Sequence, residues 1–380
     1  MENNNNETEK KARLLSKARK YQRIHLKLRL VKTIFWIVFL LAILFLGISA
    51  NLRSWAESIN PNPWLVVLFY LIGISMLAEF LFLPLSYYSS FMVEKRFGLS
   101  TENRISWTKD YIKSFLINLL LSIILLEFLY YLLREYTMWW LIAALGFILF
   151  FIFLARLAPT LLFPLFFKFK SLEDEQLKNR LLQLSEKAKV RILNVLEMDL
   201  SKKSKTANAA LAGLGKSRRI ILSDTLLSNF NTDEIETILA HELGHYTHRH
   251  LWKGIILQGF FSMVGFYLLN LLLARFIAYF GFRSIADVAS FPLVILFIMF
   301  LGFILMPLAN MYARQQERKA DYFALKETTK SSAYISALEK LAELNLADPH
   351  PHPLVEFIFY SHPSINKRIK MAQDFSKKGK

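Results

Sequence analysis

The chain has 380 residues, 54% of them hydrophobic, yet it carries a formal net charge of +17 and no cysteine. The apolar residues are gathered into long runs, which excludes an ordinary soluble domain and points to a membrane protein. The missing thiols exclude disulfides and thiolate metal sites. So basic a chain also raises nucleic-acid binding, but the basic run abuts an apolar span and no nucleic-acid module follows, so no nucleic-acid partner is expected.

In chain order, residues 1–30 form a polar, then strongly basic arm, unlike a cleavable signal peptide. Its basic part is expected against anionic headgroups of the lipid bilayer. Six apolar segments, near 31–50, 64–87, 112–132, 138–158, 254–274 and 290–310, reach the roughly 20 residues that a bilayer crossing takes. Lys and Arg concentrate in the arm, in the loop holding Lys95, Arg96, Arg104 and Lys109, and after the fourth span. The opposite loops carry only Arg53, Arg134 and Arg283. This bias places both termini and both large polar regions on the cytoplasmic side, in what we read as a multi-pass protein of a bacterial inner membrane. Residues 31–167 then form a four-span membrane domain, 168–250 a cytoplasmic region, 251–312 two further spans, and 313–380 a cytoplasmic C-terminal region. Within the spans, Glu79, Glu127, Gln258 and Asn270 are costly at membrane depth and are expected to face a wet cavity or a neighbouring helix.

The first polar region begins with a polar helix over 172–189 and a β-rich stretch over 190–200. Candidate strands at 206–211 and 219–223 flank a GLGKS turn, a plausible hairpin. A helix follows, with Asn231 and Glu234 in a capping-box pattern and Ile235, Ile238 and Leu239 as its apolar stripe. It carries His241-Glu242-Leu243-Gly244-His245, an H-E-x-x-H. Residues four apart lie one above the other on a helix, so both imidazoles can reach one Zn²⁺ with Glu242 beside it as general base. The bland alternative is an amphipathic helix with two chance histidines; three fixed residues arise by chance in such a chain about once in 100. The helix runs almost directly into the fifth span, so this site is expected close to the membrane surface.

A catalytic zinc site keeps three protein ligands. His248, His250 and Glu317 are candidates for the third. Three ligands from one straight helix would crowd one side of the ion, which favours Glu317, on a helix after the sixth span. Asp321, one turn further on, suits a carboxylate that orients a histidine. The competing reading is a solvated face among Arg314, Arg318 and Lys319. A helix over 331–345, a Pro- and His-containing loop over 346–363 and a short basic helix complete the chain.

At these positions the sequence resembles the type I CAAX prenyl endopeptidases, integral-membrane zinc metalloproteases. The matching stretches are AHELGH (240–245), ERKAD (317–321), KTANAALAGLGKSRRIILSDTLL (205–227) and YSHPSINKR (360–368), in the family's order. The resemblance implies one zinc per chain held by His241, His245 and Glu317, with Glu242 as the catalytic base and Asp321 behind a ligand. It places Asn208 on an edge strand that pairs with the peptide substrate, and His362 and Arg368 near the reacting carbonyl as oxyanion donors. It also implies seven spans around an intramembrane chamber, where this chain shows six.

The expected molecule is an α-helical polytopic membrane protein with about six transmembrane helices. A cytoplasmic gluzincin-like zinc protease domain with a small β-hairpin or sheet hangs from it. By its resemblance it is expected to hydrolyse peptide bonds near the C-terminus of prenylated or membrane-associated protein substrates. Two alternatives are an HtpX-like quality-control protease of membrane proteins and a non-catalytic zinc-stabilised scaffold or channel. An intact Glu242 weighs against the last, because a purely structural site has no use for that carboxylate.

Overall fold

The structure is a computed structural model that describes residues 2–213 and 215–378. Helix α1 (Glu2–Phe45) makes the basic arm and the first span one continuous element. It ends where Gly47 turns left-handed at φ 68°, so the expected 31–50 span stops short. The 12-residue α2 (Ile48–Ile59) follows. Then come α3 (Pro63–Tyr87), a π-helical turn, α4 (Val93–Phe97), α5 (Arg104–Glu135) and α6 (Trp139–Leu157). Among the described residues, six helices are long and apolar enough to cross a membrane, and side chains such as Phe80, Ile256 and Phe300 point outward from them. Outward apolar surface of this extent has lipid as its solvent. The spans share a core of Leu40, Ile43, Tyr70, Leu71, Tyr130 and Trp139.

Polar groups inside the spans find neighbours. Asn270 accepts from Trp139 Nε1 at 2.8 Å, and Glu79 accepts from the Tyr111 hydroxyl. Glu127 Oε2 is buried without a hydrogen bond.

The polar regions form a second unit. Strand β1 (Phe169–Ser171), which the sequence pattern does not announce, precedes α7 (Glu175–Lys187), β2 (Asn194–Met198), β3 (Ala209–Ala212) and β4 (Arg219–Ser223). The strands pair in the order β1-β2-β4-β3, so β3 is an edge. The expected hairpin is present, Ala209 opposite Leu222 and Ala212 opposite Arg219, although Leu214 in its turn lies outside the described residues. Next come α8 (Asp224–Asn229), α9 (Thr232–Thr247) and α10 (His250–Phe280), which is the fifth span. Helix α11 (Phe291–Thr328) is the sixth span and continues as a polar helix; α12 (Ser331–Leu344), α13 (Pro353–Phe359) and α14 (Ile365–Lys378) close the chain. The loop expected over 346–363 contains α13, whose start has His352 as cap and proline at the first turn, where a missing N–H costs nothing. The second core joins Leu181, Ile220, Leu222, Leu239, Leu243, Ala324 and Leu338 from the sheet and both polar segments.

Candidate metal centre

Helix α9 is built as its sequence predicts. Asn231 Oδ1 accepts from Glu234 N and Glu234 Oε2 accepts from Asn231 N, each at 2.9 Å. Ser336 and Lys340 of α12 donate to the same buried Glu234 carboxylate at 2.6 and 2.7 Å, so the cap also anchors the helix. Ile235, Leu239 and Leu243 are buried, each contributing about 1.5–3 kcal/mol. Gly244 faces α11, and a Cβ placed there would lie 2.9 Å from Ala320 Cα. Only glycine allows this approach of the two backbones, and the approach brings Glu317 to the histidines.

His241 Nε2 and His245 Nε2 lie 3.1 Å apart. The Glu317 carboxylate spans them, Oε2 3.3 Å from His241 Nε2 and Oε1 3.2 Å from His245 Nε2. All three ligand-type atoms fall within 4.8 Å of one another. Glu317 Oε2 is buried yet makes no hydrogen bond. Two imidazole nitrogens and a carboxylate aimed at one point leave lone pairs that a divalent cation would satisfy, and N/O donors of this kind suit a catalytic metal with an open position.

The outer contacts set the tautomers. His241 Nδ1 lies 2.8 Å from Asp321 Oδ1, so Nδ1 carries the proton and Nε2 is free to ligate. Asp321 is fully buried and is gripped by Arg368, Nη2 at 2.6 Å and Nε at 3.0 Å. Arg368 Nη2 also donates to the Tyr334 hydroxyl at 3.2 Å. Burial alone would lower the His241 imidazolium, but Asp321 and Glu317 outweigh it and push the group up to about 9. Proton and metal thus compete for His241.

His248 has turned away: its Nδ1 is 2.9 Å from Gly244 O, and its ring packs edge-on against Phe323. Chain reversal at Arg249, φ 54°, swings His250 back instead, so that its Nδ1 lies 3.0 Å from His245 Nδ1. His250 is buried, and its Nε2 has no hydrogen bond. Sequence reading weighed His250 only as a ligand; its part beside His245 depends on the left-handed residue between α9 and α10, for which the sequence carries no glycine signal.

A cleft of about 190 Å³ opens over these groups, lined by Asn208, His241, Glu242, Asn345, His362 and Arg368 among others. Burial pushes the Glu242 carboxyl up from its ordinary value, while His241 and His245 oppose the shift. Edge strand β3 starts at the cleft, and Asn208 keeps its main chain paired with Ser223 at 3.0 Å. His362 stands at the rim, half-exposed, its Nε2 3.2 Å from Glu317 Oε1. Arg314, one turn before Glu317, donates to the carbonyls of Glu356 at 3.0 Å and Tyr360 at 2.6 Å and so ties the His362 segment to α11. Of the site residues expected from the sequence, Asn208, His241, Glu242, His362 and Arg368 line this cleft, and His245, Glu317 and Asp321 lie in contact with them.

Known proteins resemble this chain over most of its length. A family model described as Peptidase family M48 matches residues 171–376, and one described as CAAX prenyl protease N-terminal, five membrane helices, matches residues 7–168. The chain belongs to peptidase family M48.

Among its M48 relatives is an uncharacterized metalloprotease of Bacillus subtilis (strain 168), YhfN, 31% identical over 89% of this chain and 80% of that protein. CAAX prenyl protease 1 of Saccharomyces cerevisiae is 30% identical over 81% of this chain and 72% of that protein. The crystal structure of Ste24p from S. mikatae superposes with a TM-score of 0.86 at 25% identity, covering 95% of this chain and 89% of that one. The M48 chain is thus a multi-pass membrane metalloendopeptidase, a hydrolase of peptide or protein substrates, and neither the quality-control reading nor the scaffold reading is favoured. Within residues 7–168 it carries four helices long enough to span, with the short α2 beside them.

Proposed function

We propose that the metal is zinc, one per chain, held by His241, His245 and Glu317, and that the chain cleaves extended polypeptides at the membrane surface. The observation that carries this reading is the convergence of those three side chains, with Glu242 beside them, under a cleft bordered by an unpaired strand edge. Zinc, when bound, polarises a carbonyl and acidifies water. Glu242 takes the proton from the attacking water and returns it to the departing amine. A substrate added to the free edge of β3, with Asn208 at its end, presents its scissile bond in extended form. His362 at the rim and the Nη1 of Arg368 that Asp321 leaves uncommitted are the donors available to the developing oxyanion. Asp321 orients His241, and His250 does the same for His245.

The relatives' names support a prenylated C-terminal substrate, and the charge bias of the loops supports a cytoplasmic site in a bacterial inner membrane. The test is cleavage of a farnesylated CAAX peptide and its unmodified counterpart by the purified protein. Cleavage that depends on the lipid supports the prenylated class. Equal cleavage of both removes prenylation from the proposal, and cleavage of neither removes CAAX peptides as its substrates.

A further inference from the structure

We propose that a second cleft, between the basic arm and the segment leading to His362, binds the phosphate of an anionic phospholipid headgroup. It measures about 410 Å³, and it is lined on one side by Arg19, Arg23 and Arg29 of α1 and on the other by Asp348, His350 and His352. Asp348 is the one carboxylate among its lining residues, 3.8 Å from Arg19 Nε. Neither Arg23 nor Arg29 pairs with a carboxylate among the described residues; Arg29 lies over the Phe359 ring at 5.4 Å. Guanidinium groups without a carboxylate partner, such as Arg23 and Arg29 along one wall of a concave surface, match a phosphate, which accepts paired hydrogen bonds from each.

Depth decides that the phosphate belongs to a lipid. The outward apolar surface of α1 begins at Leu30 and continues through Val31 and Ile34, so Arg29 stands at the edge of the hydrocarbon. At 1.5 Å per residue, Arg23 lies about 9 Å further out and Arg19 about 15 Å. The headgroup layer of one leaflet is roughly 5–8 Å thick, so Arg29 and Arg23 bracket it. The opposite wall is apolar where acyl chains and glycerol would lie: Val355 lines the cleft, and Leu354 and Phe357 of α13 are exposed. A site for a free anion has no need of such surface. Phe359 and Tyr360 close the cleft, two residues from His362, so an occupant would brace α1 against the segment that carries His362. This inference does not depend on the peptide-hydrolysis reading.

The experiment is native mass spectrometry of the full-length protein in neutral detergent with dioctanoyl phosphatidylglycerol, dioctanoyl phosphatidylcholine or inorganic phosphate. One phosphatidylglycerol is expected to be retained in preference to phosphatidylcholine. The double substitution R23Q/R29Q should weaken retention by about 5-fold per arginine, roughly 25-fold in all, with an unchanged melting midpoint. R104Q/K109Q, removing as much charge on the same side but outside the cleft, should leave retention intact. Equal retention of the two lipids, or equal loss in both double variants, overturns the cleft as a site. Displacement of the lipid by an equal concentration of inorganic phosphate overturns the lipid as its ligand.

Discussion

In the proposed function, His241, His245 and Glu317 act as one unit, because their ligand-type atoms lie within 4.8 Å of one another. Removing the carboxylate should remove the ion: Glu317→Ala is expected to purify without metal, and a content near one per chain would return His248 to consideration. Glu242 makes no such contribution. Glu242→Gln is expected to keep one metal per chain and to lose about 10²–10⁴-fold in kcat, measured as metal content and turnover on one preparation. A rate near wild type would remove Glu242 from the chemistry. The contact of His250 with His245 makes a sharper claim. His250→Ala should weaken metal affinity by about 10–100-fold in competition with a chelator, whereas His248→Ala should not change it.

Helices α9 and α11 meet at a point where only glycine fits. Gly244→Ala would force a methyl against the Ala320 backbone, an overpacking that costs about 1–3 kcal/mol and pushes Glu317 away from the histidines. Melting midpoint and metal affinity should fall together. Gly254→Ala, on α10 with nothing within 4 Å of the added methyl, should lower neither. If Gly244→Ala retains metal affinity, the helix contact does not set the site. The same two helices explain why the site sits where it does. Helix α10 starts three residues after α9 ends, and α11 is a membrane helix that continues past the bilayer, so both halves of the site are tied to spans.

For the whole molecule, the distribution of Lys and Arg predicts an orientation. The chain has no cysteine, so single introduced thiols report on it cleanly. Ser58→Cys, in the last turn of α2 after the first span, should react with a membrane-impermeant maleimide from outside intact cells. Ser376→Cys, in α14, should react only after permeabilisation. The reverse pattern would place the metal centre outside.

The positions of the spans, the cap of α9 and the i, i+4 histidines were legible in the sequence because each depends on neighbours within a few residues. The apolar runs, Asn231 with Glu234, and His241 with His245 are local patterns that periodicity exposes. Glu317 was legible only by elimination and resemblance, since nothing within α11 distinguishes a ligand from a solvated glutamate. Tertiary structure decided the rest. The Gly244–Ala320 approach brought two distant helices together, and the left-handed Arg249 turned His250 onto His245. The order of the strands left β3 at an edge. Strand β1 and helix α13 escaped notice because three and seven residues carry too little periodicity, and both are held by partners remote in the chain: β2 for the strand, Asn310 and Arg314 of α11 for the helix. A chain writes its local preferences in each segment, but the meeting of segments is chosen by packing over the whole molecule.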